Sequence, residues 1–249
     1  MIKQEKIVDA VFAVISKEPN CVICGRHSSF LICSFCDKEM LQKLSLSFEN
    51  RCMYCGRQLV SEKDVCMFCR RQRVVQHADY VFPLFPYELW NKHLLFEWKI
   101  KKQRRLVFFF VEYIQKALTM LEDHGIGTFE YIVPVPPRPG KIRKEGWDQI
   151  VDVCTLLHKK WKYQVFPILK RISVIQQKHL TRVMRLHSEN MFAIDAKQMQ
   201  RWKIKKKWPE QVVLIDDVMT TGATIESCAS LLKTIGIQKV VVVTLFVAQ

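Results

Sequence analysis

The residues with the clearest chemistry lie near the end of the 249-residue chain, in Val212-Val213-Leu214-Ile215-Asp216-Asp217-Val218-Met219-Thr220-Thr221-Gly222-Ala223-Thr224. Four apolar residues read as a central strand, and two carboxylates follow at its carboxyl end, where open α/β sheets bind their ligands. A small, hydroxyl-rich loop then leads straight into a helix. Its free backbone N–H groups, the helix dipole and the hydroxyls of Thr220, Thr221 and Thr224 make a phosphate cradle, and Gly222 lets the backbone close on the anion. Two adjacent acids would repel a bare phosphate. The vicinal hydroxyls of a ribose, held with Mg²⁺, suit them better. No G-x-x-x-x-G-K-[ST] occurs in the chain, so the acids are not the Walker-B strand of a P-loop ATPase.

A second constellation lies near the start. Eight of the ten cysteines fall in four C-x-x-C pairs, Cys21/Cys24, Cys33/Cys36, Cys52/Cys55 and Cys66/Cys69. Two residues between thiols let both sulfurs face one tetrahedral ion at ~2.3 Å, and four thiolates close a structural zinc site. Eight ligands make two Zn²⁺ sites. Sequence order groups them as Cys21/24/33/36 and Cys52/55/66/69, and an interleaved grouping stays open. A redox role would need one reactive pair beside a βαβ pattern. Gly25 and Gly56 follow the second cysteine of their pairs, where a tight knuckle needs a permissive backbone. Cys154 and Cys228 sit at helical spacing among apolar neighbours and read as core.

Residues 1–75 therefore form an N-terminal helix (7–15) and a double zinc ribbon, and 76–249 a second domain of alternating blocks. Residues 79–85, 129–135, 164–169, 212–216 and 239–247 read as strands, and 89–100, 106–121, 147–161 and 224–235 as helices. That alternation predicts an α/β fold with a parallel sheet covered on both faces. The charge is uneven. The chain carries 39 Lys+Arg against 24 Asp+Glu, net +15, and residues 81–207 hold 25 of the basic side chains against 11 acidic ones. Such a field favours a polyanionic partner, although a cationic face also serves solubility. Basic residues cluster at Arg138, Lys141 and Arg143 after the strand 129–135, and at Lys178, Arg182 and Arg185. Two further runs interleave with aromatics: Lys99, Lys101, Lys102, Arg104 and Arg105 beside Trp98, and Lys205, Lys206 and Lys207 between Trp202 and Trp208. Lysines that follow phosphates while an aromatic stacks on an unpaired base suit single-stranded nucleic acid. The longest uncharged apolar run, 240–248, is less than half a bilayer crossing, and 7–15 lacks a signal-peptide cleavage site. These features predict a cytoplasmic protein without membrane insertion.

The strand, acid pair and Thr-Thr-Gly loop resemble those of phosphoribosyltransferases that bind phosphoribosyl pyrophosphate (PRPP). Taken with the zinc knuckles, the Pro134-Val135-Pro136-Pro137-Arg138 turn and the Gln177-x-x-Leu180-Thr181-Arg182-x-x-Arg185 arm, in this order, residues 20 to 249 resemble the late-competence ComF (ComFC) family. Where that family has Arg-Gly-Phe-Asn-Gln, this chain has Glu145-Gly146-Trp147-Asp148-Gln149, and 201–207 reads as an insertion. The resemblance implies a type I phosphoribosyltransferase fold and a cytoplasmic protein that handles incoming single-stranded DNA in natural transformation, beside a helicase-like partner.

Two functions follow. One is a nucleic-acid-handling module of DNA uptake, in which Lys99, Lys101, Lys102, Arg182, Arg185, Lys205, Lys206 and Lys207 meet the strand. The other is an active phosphoribosyltransferase. In it, Asp216 and Asp217 hold the ribose hydroxyls with Mg²⁺ and Thr220, Thr221, Gly222, Ala223 and Thr224 hold the 5′-phosphate. Arg138, Arg143 or the 178–185 arm would meet the pyrophosphate leaving group. Displacement at the anomeric carbon needs positioning and charge neutralisation more than a strong base. A PRPP sensor without turnover is a third option.

Overall fold

A computed structural model describes residues 20–46, 49–172, 191–204 and 208–248. The first described stretch is a knuckle closed by Gly25 N–H on Cys21 O, followed by helix α1 (Ser34–Leu46); a second knuckle, closed by Gly56 N–H on Cys52 O, precedes the short helix α2 (Met67–Arg71). After them come β1 (Tyr80–Pro86), α3 (Leu89–Lys99), α4 (Leu106–Asp123), β2 (Tyr131–Pro134), α5 (Lys141–Glu145), α6 (Gln149–Trp161), β3 (Gln164–Val165), β4 (Leu169–Arg171), β5 (Phe192–Ile194), α7 (Ala196–Ile204), β6 (Gln211–Met219), α8 (Ala223–Thr234) and β7 (Lys239–Val247).

The five strands β1-β7-β6-β2-β3 form one parallel sheet in that order, and β4 pairs with β5 as a separate antiparallel ribbon. Parallel strands covered on both faces read as unbroken apolar runs, which is why the valines 240–243 lie in the middle of the sheet, fully buried. One apolar layer contains Val213, Ile215, Val241 and Val243 with α4 and α6; the other contains Val212, Leu214, Val240 and Val242 with α8. In α4 the buried positions Leu106, Phe109, Phe110, Tyr113, Ile114, Ala117, Leu118 and Leu121 recur at three and four residues, as a helix laid on a sheet requires. Helix α6 begins two residues later than the expected 147. Asp148 caps it, accepting from Ile150 N–H (3.0 Å) and Val151 N–H (3.2 Å).

The expected strand 164–169 is interrupted. Pro167 lies between β3 and β4 and has no N–H to give a ladder. The expected strand 212–216 is longer than read: β6 runs through both acids to Met219. The expected helix 7–15, the 178–185 arm and Lys205, Lys206 and Lys207 lie outside the described residues. Among the described residues no helix is long and apolar enough to cross a membrane.

Each Cys-rich unit packs on a different layer of the sheet. Cys21, Ile32, Cys36 and Met40 join the α4 layer, where the Tyr113 hydroxyl donates to Asp37 O at 2.6 Å. Cys52, Cys55, Leu59 and Cys66 join the α8 layer, and Arg51 Nη1 donates to Gly56 O and to Pro83 O on β1, each at 2.8 Å. Gly25 (φ +70°) and Gly56 (φ +66°) share one conformation in unlike surroundings. A Cβ on Gly25 would meet nothing within 4 Å, whereas one on Gly56 would lie 1.9 Å from the Val81 carbonyl oxygen. Gly25→Ala is therefore expected to cost about 1–2 kcal/mol from backbone strain alone. Gly56→Ala, which also forces the second unit off β1, should cost at least about 3 kcal/mol. Thermal unfolding of the zinc-loaded variants checks the difference; equal losses would refute this docking.

Candidate functional site

Two sites can be built from the sequence upward. The first is the cysteine pair of clusters. The four sulfurs of Cys21, Cys24, Cys33 and Cys36 lie within 4.8 Å of one another, as do those of Cys52, Cys55, Cys66 and Cys69, so the sequence-order grouping is the one the fold makes. The Cys24–Cys33 and Cys55–Cys66 sulfurs are 3.8 and 3.6 Å apart. A tetrahedron of sulfurs ~2.3 Å from zinc has edges of ~3.8 Å, so each set fits a tetrahedral ion. Cys33 N–H points at Cys21 Sγ (3.3 Å), and the Arg26 backbone N–H brings the Cys24 thiol down to about 7, toward the thiolate that ligation needs. Each cluster can therefore chelate a metal ion with the donor set of structural zinc. Cys154 and Cys228 are 1% and 0% exposed core residues, as read from sequence, and burial pushes both thiols up.

The second site is a cleft of about 1030 Å³ at the carboxyl end of the sheet. Strand β2 pairs with β6 only as far as Ile215, whose carbonyl takes Val135 N–H, while β7 stays paired with β6 to Met219. Beyond Ile215 one side of β6 is open, and there the acids stand. The period of two that puts Val213 and Ile215 in one layer and Val212 and Leu214 in the other sends Asp217 toward α3 and Asp216 toward α8. Asp217 forms an ion pair with Lys99 at the end of α3. Asp216 is 8% exposed, and its Oδ1 accepts from Asp217 N–H at 2.9 Å. Burial, reinforced by the neighbouring Asp217 charge, pushes its carboxyl up to about 8 against the weaker opposing pull of Lys99.

The cleft gathers Asp216, Asp217, Thr224, Arg138, Arg143 and Lys99 into one cavity. It does not gather the whole loop: Thr220 and Thr221 line a smaller cavity of about 470 Å³ on the far side, against the second Cys-rich unit. Gly222 is buried, in the left-handed conformation that starts α8, and Ala223 is exposed. The turn after β2 also supplies Lys141, whose ammonium is held by Asp148 Oδ2 (2.6 Å) and by Gln149 Oε1. Lys144 and Arg171 line the same cleft and were missed in the sequence. Lys144 belongs to the basic turn already singled out; Arg171, which follows Lys170 at the end of a three-residue strand, carries no local signal.

Of the expected nucleic-acid contacts, Lys101 and Lys102 are exposed outside the cleft, Lys99 turns into it, and Arg182, Arg185, Lys205, Lys206 and Lys207 lie outside the described residues. Of the tryptophans expected to stack on bases, Trp98 and Trp202 are buried in the core, and Trp208 is half-buried against it. Trp98 is 0% exposed, and Trp202 and Trp208 meet Phe166 edge-on with centroids 4.8 and 5.5 Å away. Phe96 and Phe108 are the exposed aromatics beside the basic run. No protein-family model matches the chain, and no curated protein matches it.

The burial of Asp216 has a direct consequence for stability. A carboxyl raised from its usual value binds its proton more tightly folded than unfolded, so its contribution is complete at acid pH and is lost as pH rises toward about 8. The stability of Asp216→Asn relative to wild type should thus grow by about 2–3 kcal/mol between pH 6 and 8. Denaturant titrations at both pH values, with zinc present, measure it; a flat difference would show Asp216 already ionised at pH 6.

Proposed function

We propose that the cleft binds Mg²⁺-complexed PRPP and that the chain is a ComF-type late-competence protein with a type I phosphoribosyltransferase fold, handling single-stranded DNA in natural transformation. The observation that carries this reading is the meeting, in one cavity, of an acid pair, the start of α8 and a wall of cations. Asp216 and Asp217 are suited to the ribose hydroxyls, the Thr224 hydroxyl and the unpaired backbone N–H groups of the loop that opens α8 to the 5′-phosphate, and Arg138, Arg143, Lys144 and Arg171 to the pyrophosphate. Mg²⁺ would neutralise the pyrophosphate oxygens. Lys99 keeps Asp217 paired until a ligand takes its place. The parallel sheet and the Cys₄ units agree with the architecture that the family resemblance implies.

A polyanion has a path leading away from this cleft. Lys99 and Ile100 line its edge, Lys101 and Lys102 follow in the next turn, and beyond them lies a groove of about 300 Å³ lined by Arg105, Phe108, Lys159 and Arg104, the last ion-paired with Asp152 in the same groove. Phe108, 38% exposed, offers a stacking face among cations, the combination that single strands favour. A helicase-like partner and cytoplasmic action belong to the same reading. The second reading, turnover of PRPP onto an acceptor with release of pyrophosphate, is favoured by the cations collected on the leaving-group side of the cleft.

Calorimetric titration of Mg·PRPP into the zinc-loaded protein is expected to show binding that strengthens from pH 6 to 8, as Asp216 loses its proton, and that is abolished in Asp216→Ala/Asp217→Ala. An unaltered double variant would remove the acids from the site. For DNA, Lys101→Ala/Lys102→Ala should lower the slope of log affinity against log salt by about 1.4 on a single-stranded oligonucleotide. A slope identical to wild type would mean the strand runs elsewhere.

A further inference from the structure

The two Cys-rich units are copies of one pattern, and their difference points to a role for one side chain. Cys21-x-x-Cys24-Gly25-Arg26 followed by Cys33-x-Phe35-Cys36 repeats as Cys52-x-x-Cys55-Gly56-Arg57 followed by Cys66-x-Phe68-Cys69. In both, the arginine carbonyl accepts from the first cysteine's N–H at 2.8 Å, and its guanidinium lies over the phenylalanine ring, 5.1 Å away for Arg26 and 4.5 Å for Arg57. The knuckle thus fixes the arginine's backbone and the ring fixes its head. Arg26 goes no further: among the described residues it makes no hydrogen bond to the sheet. Arg57 Nη2 donates to the Thr220 carbonyl at 3.0 Å, a bond across 163 positions of sequence.

That carbonyl opens the loop proposed to take the 5′-phosphate. The rest of the loop is gripped from the same side. Gly222 stands at φ +91°, and a Cβ there would lie 2.7 Å from Val75 Cγ2, in the segment that leaves the second unit. Glu226, in the first turn of α8, accepts from Gln76 N–H at 2.6 Å and His77 N–H at 3.0 Å. By contrast, the N–H groups of Thr221, Gly222 and Thr224 have no hydrogen-bond partner among the described residues. A cradle holds an anion well when its donors are already aimed, because ordering them on binding would consume part of the gain.

We propose that Arg57 is a positioning residue for phosphomonoester binding: through the Thr220 carbonyl it holds the loop's N–H groups in the orientation a phosphate needs. The second Cys₄ unit is then the back wall of the phosphate site, while the first has only a packing task. Four thiolates on a divalent ion leave net negative charge in the cavity that Arg57 shares with Cys55 and Cys69, which favours keeping the guanidinium there. This inference rests on the PRPP reading of the cleft, and its test separates the two.

The experiment titrates ribose 5-phosphate, Mg·PRPP and Mg·pyrophosphate into wild type, Arg57→Met, Arg57→Lys and Arg26→Met, each confirmed to hold two zinc ions. Arg57→Met is expected to weaken ribose 5-phosphate and PRPP about tenfold, the worth of one hydrogen bond, while leaving Mg·pyrophosphate within twofold. Arg57→Lys should recover part of the loss, since lysine offers a donor without the planar fork. Arg26→Met, which removes the same local stack, should change none of the three. Unaltered ribose 5-phosphate binding in Arg57→Met, or an equal loss for pyrophosphate, would overturn the inference while leaving the PRPP reading in place. Absence of wild-type binding to all three ligands would overturn both. If Arg57→Met loses zinc, Arg57→Lys decides alone, with wild-type affinity for pyrophosphate and a weakened ribose 5-phosphate as the expected pair.

Discussion

Strand β6 has two neighbours as far as Ile215 and only one beyond it, and the cleft exists because of that change. A carboxylate within the paired part of a parallel sheet would be sealed between two apolar layers at a cost of several kcal/mol. Past Ile215 the chain of β2 turns away through Pro136 and Pro137 into the basic turn, so an acid in β6 has backbone on one side and open space on the other. The sheet thus places its acids at the first positions where they are tolerable, and the diverging strand supplies the cations that face them. Asp217 finds Lys99. Asp216, turned toward α8, forms no ion pair among the described residues, and burial raises its proton affinity.

The Cys₄ units do more than extend the chain's ordered length. The α4 layer counts Cys21 and Cys36 among its core residues, and the α8 layer counts Cys52, Cys55 and Cys66. Removing metal from either unit would therefore loosen one face of the sheet as well as a peripheral ribbon, because a thiolate cluster and its local fold form together. The expected boundary near residue 75 marks where the Cys-rich pattern stops in the sequence. The apolar layers run across it.

What was legible in the sequence shares one physical property: it is local. The valine run of β7, the three- and four-residue spacing of α4 and α8, the place of the acid pair at the end of β6 and the four C-x-x-C pairs are each set within ten or twenty residues. The break at Pro167 is also local, and the reading of 164–169 as one strand passes over it. Tertiary consequences were not legible. No pattern told that Trp98 and Trp202 would be taken by the core, leaving Phe96 and Phe108 outside, because burial depends on which face a helix turns to a distant strand. Lys99 read as one cation in a run, and only the position of α3 beside β6 turns it to Asp217. Arg171 and Arg57 depend on ribbons whose partners are tens to hundreds of positions away.

The alternation of Asp216 and Asp217 limits what the pair can do in the cleft. Adjacent acids in a strand point to opposite sides of the sheet, so they cannot share one ion or one proton as a facing dyad would. They can bracket something that lies across the strand's end. Two hydroxyls on neighbouring ring carbons meet that requirement, one for each carboxylate, with a phosphate reaching toward Thr224 and α8 and a more highly charged group toward Arg138 and Arg143. A single phosphate meets it poorly, since it would face an acid on either side. The same geometry explains why the acids differ: Asp217, neutralised by Lys99, is ready as a carboxylate, whereas Asp216 must give up a proton that burial helps it keep. On the proposed reading, ligand entry at neutral pH is coupled to proton release from one acid and to release of Lys99 from the other, and an incoming group that brings its own hydroxyls and its own cation offsets part of both costs.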